Sequence, residues 1–115
     1  METKDALAAL AALAQETRLA IFRHLVEAGP QGVTVGRIGE ALEIAAATLS
    51  FHLKELSHAG LVTSRQESRF YWYSANYEAM NDLVGYLTDN CCRGQPELCC
   101  PPAKAGSAKR KKVNA

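Results

Sequence analysis

The chain of 115 residues has no cysteine before position 91 and almost no net charge, +1 at pH 7. It also lacks any apolar run near the roughly 18 residues that cross a membrane, which argues against a membrane span or partner. The missing early cysteines argue against a core stapled by disulfides. Its start, Met1-Glu2-Thr3-Lys4-Asp5, lacks the basic stretch and apolar core of a secretory signal, so a cytoplasmic location is expected. No Cys-x-x-Cys follows a strand-like segment and no acid–base set converges, so an enzyme and an organic cofactor are not expected. With 48% hydrophobic and 22% charged residues, the chain reads as one folding domain rather than a disordered protein.

What is present is unevenly distributed. Five of the 13 basic residues lie in 103–115, which holds no acid, so residues 1–102 carry eight basic against 12 acidic residues, a net −4. All four cysteines fall in a ten-residue stretch, as Cys91-Cys92 and Cys99-Cys100. In a reducing compartment such a cluster points to metal binding or thiol chemistry.

Residues 4–15 are rich in Ala and Leu, and Leu7, Leu10 and Leu13 at a spacing of three predict an amphipathic helix whose stripe faces a core or a dimer partner. A second helix is expected from a cap at Glu16-Thr17, with Leu19, Phe22, Leu25 and Val26 apolar, up to Gly29-Pro30. Thr34 opens a short helix with Val35, Ile38 and Leu42 on one face. After a break at residues 43–45 a longer helix spans 46–59, ended by Gly60 as a left-handed cap. Two helices across a tight break form a helix-turn-helix.

In the longer helix Leu49, Leu53 and Leu56 mark the buried side. The opposite side carries Ala47, Phe51, Lys54 and His58, flanked by Thr48, Ser50 and His52. Small, hydroxyl-bearing and basic residues suit a major groove, where they bond base edges and phosphates. For His52, a hydrogen bond within the fold or to phosphate stands level with a base contact.

Residues 61–65 and 70–74 flank a polar turn at 66–69 and predict a hairpin with Arg65 and Arg69 at or near its tip, in reach of phosphate or the minor groove. Four aromatics, Phe70-Tyr71-Trp72-Tyr73, form the return strand and are read as packing residues rather than base-stacking platforms. A last helix over 77–90 shows a seam of Met80, Leu83, Val84 and Leu87. Beyond it, an extended basic tail is expected.

The fold class expected is mainly α with a small β-hairpin, a dimeric winged helix-turn-helix. Three regions follow: a DNA-binding and dimerisation domain over 1–92, a cysteine segment over 91–100, and a basic tail over 101–115. The stretches Glu16-Thr17-Arg18-Leu19, Ala47-Thr48-Leu49-Ser50-Phe51-His52-Leu53-Lys54-Glu55-Leu56, Ala59-Gly60-Leu61-Val62 and Arg69-Phe70-Tyr71-Trp72-Tyr73 resemble the ArsR/SmtB family of bacterial metal-responsive repressors. The resemblance spans about residues 5–92. It implies a homodimer joined through first and last helices and bound to double-stranded operator DNA, for which the helix face and hairpin offer Thr48, Ser50, His52, Lys54, Arg65 and Arg69 as contacts. Half-sites for such a dimer lie roughly 34 Å apart or a multiple of it.

The family places its metal sites variously. Its Cys-x-Cys arsenic site at the start of the helix-turn-helix is absent, because residues 33–50 contain no cysteine, and residues 77–90 lack the His that a zinc site on the last helix needs. The cysteine segment resembles that of an arsenical-repressor subgroup with a C-terminal site. The resemblance implies trivalent arsenic or antimony as effector, held by Cys91, Cys92 and Cys99, with Cys100 as the alternate third thiolate. Soft centres select thiolate sulfur. Structural zinc, another soft metal such as cadmium or lead, and thiol redox sensing are the alternatives for the same cysteines.

Overall fold

The computed structural model describes residues 1–95. Its elements run α1 (Thr3–Leu13), α2 (Glu16–Ala28), β1 (Val33–Thr34), α3 (Val35–Leu42), α4 (Ala46–His58), β2 (Val62–Glu67), β3 (Phe70–Ala75) and α5 (Tyr77–Leu87), followed by a 3-10 turn at Cys91–Gly94. Met1–Val84 forms one compact unit, and a second begins at Gly85, within α5.

The first two helices differ from the sequence expectation in which side chains they bury. On α1 the buried face is Ala6, Ala9 and Ala12, while Leu7 is 61% exposed and Leu10 is also exposed. Methyl side chains allow α1 a close approach to its neighbours, which leaves Leu7 and Leu10 outward while Leu13 packs half-buried against the core. On α2 the cap is Gln15 rather than Glu16-Thr17, its Oε1 accepting from the Arg18 N–H at 2.9 Å. Ile21 joins Phe22 and Leu25 in the core, whereas Leu19 is exposed.

The helix-turn-helix follows the sequence pattern. Thr34 caps α3, its Oγ1 accepting from the Arg37 N–H at 3.4 Å, and Ile38 is fully buried. Glu43, left-handed at φ 57, ends α3. Leu49, Leu53 and Leu56 of α4 meet Ile21, Leu25, Ile38 and Leu61 at the centre of the core. Gly60 lies beyond α4 at φ 78, the left-handed cap that its position required.

The hairpin is part of a three-stranded antiparallel sheet in the order β1-β3-β2. Val33 and Thr34 pair with Tyr73 and Trp72, a two-residue strand too short to show a period in sequence. Gly32 makes this pairing possible. It sits at φ 90, and a Cβ there would lie 2.6 Å from the Tyr73 carbonyl oxygen. β2 and β3 pair from Val62↔Ala75 to Glu67↔Phe70, so the strands extend further than expected and the turn is only Ser68-Arg69.

The side chain of Asn76 caps α5, accepting from the Ala79 N–H at 3.1 Å and donating to the Gly60 carbonyl at 2.9 Å. The Tyr77 hydroxyl donates to the Val26 carbonyl at 2.9 Å, satisfying an acceptor at the end of α2. Leu83 is the buried member of the predicted seam; Met80 is half-buried, and Val84 and Leu87 are exposed. In the second unit α5 stops at Leu87 rather than near Asn90, which is itself left-handed at φ 58. Cys99, Cys100 and the 101–115 tail lie outside the described residues.

Candidate nucleic-acid interface

Because α4 buries Leu49, Leu53 and Leu56, its other residues are carried to the surface at fixed angles. Thr48, Ser50 and Lys54 are exposed, as the pattern requires. A groove runs between α4 and the hairpin. Ser50, Lys54 and His58 line one side of it, and Arg69, Phe70 and Tyr71 the other. No carboxylate is among its described lining residues. A chain whose first 102 residues carry net −4 thus presents a locally cationic, hydroxyl-rich cleft, a surface that suits phosphate contacts.

A family profile described as a helix-turn-helix domain matches residues 13–65. The chain is 38% identical over 77 residues to the HTH-type transcriptional regulator YceK of Bacillus subtilis, covering 66% of this chain and 76% of that protein. It is 33% identical over 95 residues to the arsenical resistance operon repressor of the same organism, covering 83% and 79%. Among solved structures, HlyU of Vibrio cholerae matches at 30% identity and a TM-score of 0.61, covering 81% of this chain and 100% of that one. The chain belongs to the ArsR family.

It is therefore a transcriptional regulator with a DNA-binding winged helix-turn-helix, α4 being the second helix of that motif and β2–β3 its hairpin. Of the six expected DNA-contacting residues of this ArsR-family regulator, the fold brings Ser50, Lys54 and Arg69 to one groove and leaves Thr48 exposed nearer the start of α4. Two others are placed differently. His52 is 8% exposed and lies on the inward side of α4. Arg18 Nη1 donates to its Nδ1 at 3.2 Å, so the hydrogen bond within the fold is the alternative realised. Since a guanidinium has only donors, the ring is neutral with its proton on Nε2. Burial foremost, and then the Arg18 charge, hold its pKa below the ordinary 6.5, with Glu55 opposing.

Arg65 is not at the wing tip but within β2, opposite Trp72. Its guanidinium lies 5.1 Å from the Trp72 ring centroid, donates to the Gln31 carbonyl at 2.9 Å, and pairs with Glu67 at 3.1 Å. These three partners hold it against the wing, although its side chain stays 40% exposed. Phe70 and Tyr71, expected to pack, are instead more than half exposed beside Arg69. Sequence reasoning passed over Arg37, exposed in the first turn of α3 and lining a hollow with Thr34, Phe70 and Trp72. A helical wheel centred on Val35, Ile38 and Leu42 would have turned it outward.

Two of the four cysteines lie among the described residues. Cys91 and Cys92 are half-buried in the 3-10 turn, their sulfurs 3.9 Å apart. Among the described residues no three His, Cys, Asp or Glu side chains converge on a point that could hold a metal ion.

Proposed function

We propose that this ArsR-family regulator is a repressor that binds operator DNA as a homodimer and releases it when thiolates of Cys91, Cys92 and Cys99 capture trivalent arsenic or antimony. The observation that carries the reading is the sulfur pair at 3.9 Å. A tetrahedral zinc with bonds of about 2.3 Å would span sulfurs about 3.8 Å apart, so one thiophilic centre fits both. Three thiolates in a pyramid suit a trivalent metalloid, and soft centres prefer sulfur to oxygen or imidazole. The relative that matches over 83% of the chain is named as a repressor of arsenical resistance, which supports the same effector class. Ligation needs deprotonated sulfur, so capture should release protons and weaken in acid. Dimerisation through the first and last helices is supported by Leu7, Leu10 and Val84, all exposed.

A second reading, thiol redox sensing, draws on the same sulfurs: an oxidant would remove the thiols, whereas metalloid capture requires them reduced. One titration separates the two. A duplex selected by the wild-type protein from a random library is bound, and arsenite, trivalent antimony, cadmium, zinc or a thiol oxidant is added. Release by arsenite and antimony, lost in the Cys91→Ser/Cys92→Ser variant that still binds DNA, supports the proposal. Release by oxidant alone would establish the redox reading, and a variant that no longer folds would point to structural zinc.

A further inference from the structure

His52 is a buried titratable group that faces away from the DNA groove, and its partner Arg18 is held at three points. The Arg18 backbone N–H donates to Gln15 Oε1 at 2.9 Å, Nε to the Ala12 carbonyl at 2.8 Å, and Nη1 to His52 at 3.2 Å. One guanidinium, carried by the first turn of α2, therefore joins the end of α1 to the middle of α4. We propose that Arg18 and His52 are positioning residues for DNA recognition, fixing the rotation and tilt at which α4 presents Thr48, Ser50 and Lys54. The proposal involves no cysteine and stands apart from the effector reading.

The need for such a tie follows from the rest of α4. Its N-cap, Ala45, offers no side-chain hydrogen bond, and Ala46 and Ala47 are exposed. Apolar packing by Leu49, Leu53 and Leu56 holds the helix down but is non-directional. A hydrogen bond from a rigid guanidinium is directional. The tie also reaches the reading surface: the Phe51 ring, 56% exposed, meets the His52 ring edge to face with centroids 5.5 Å apart.

The tie exists only while the imidazole is neutral, because protonation removes the Nδ1 acceptor and sets two cations against each other. The charged groups facing the ring are Arg18 from α2 and Glu55 from α4 itself. α1 brings only Ala8, Ala11 and Ala12 to the hollow alongside, where His58 also lies. With its pKa below 6.5 when tied, His52 takes a proton more readily once released. Acidification below that ordinary value therefore favours released states, the effect is complete below the tied pKa, and it vanishes at higher pH.

The test uses the full chain, the selected duplex of about 30 base pairs, and a scrambled duplex of equal composition. Affinity for each is measured from about pH 7.5 to about 5.5 at constant salt. For the wild type, the ratio of selected to scrambled affinity should fall about three- to tenfold on acidification, the range of one hydrogen bond. His52→Asn, whose Oδ1 can still accept from Arg18 but does not titrate, should keep the neutral ratio within about twofold and show no acid fall. His52→Ala should lose about three- to tenfold at neutral pH with an unchanged salt slope, since no phosphate contact is removed. An Asn variant that reproduces the wild-type pH profile would overturn the proposal. So would an Ala variant, folded by circular dichroism, that retains the neutral ratio; should it not fold, the Asn profile decides alone.

Discussion

Arg65 and Arg69 lie four positions apart on the same wing, and their surroundings separate their roles. Arg69 occupies the two-residue turn and opens onto the groove opposite Lys54. Arg65 is held by Trp72, Glu67 and the Gln31 carbonyl. Arg69→Ala should weaken DNA binding and reduce the slope of log affinity against log salt by about one. Arg65→Ala should instead loosen the wing against the loop before β1 and leave that slope unchanged. Fluorescence anisotropy at several salt concentrations distinguishes them, and equal slope changes would return Arg65 to the DNA interface. Their sequence spacing could not separate them, because which side of the strand faces Trp72 depends on the register with β3.

At the scale of elements, the pairing of β1 with β3 rests on Gly32. The Tyr73 carbonyl oxygen lies 2.6 Å from where a Cβ would sit, and φ there is 90. Gly32→Ala should cost about 1–3 kcal/mol, since both the backbone conformation and the close approach are lost. Urea unfolding measures it, and an unchanged midpoint would mean that β1 shifts freely. The helices were more legible than this strand. Leu49, Leu53, Leu56, Ile38 and the Gly60 cap form a periodic pattern along the chain, whereas a two-residue strand has no period and owes its existence to a partner about 40 positions away. That α1 turns alanines rather than Leu7 and Leu10 to the protomer core was illegible for a related reason. Leucine outranks alanine in hydrophobicity, but the residue that packs on a neighbouring helix is the one whose size permits close approach, and that depends on the neighbour.

For the whole molecule, the exposed Leu7 and Leu10 connect fold to assembly. Replacing both by Glu should leave helix content intact, because neither is buried in the protomer. If α1 joins two copies, the variant should sediment as a monomer and lose affinity for the selected duplex by about a hundredfold, since two linked half-sites bind far more tightly than one. A variant that remains dimeric would place the interface elsewhere.

Helix order, the helix-turn-helix, the outward Thr48, Ser50 and Lys54, and the clustering of cysteines at 91–100 followed from the order of residues, because periodicity and local spacing are properties of the chain itself. The buried state of His52, the capture of Arg65 within the wing, the exposure of Phe70 and Tyr71, and the acid-free groove emerged only in the packed protein. His52 and Arg65 depend on partners distant in sequence, Arg18 and the Gln31 carbonyl, each 34 positions away. Near-zero net charge at first argued little for a DNA binder; folding gathers Lys54 and Arg69 on one side of the molecule, and a phosphate backbone responds to that local field rather than to the sum over the chain.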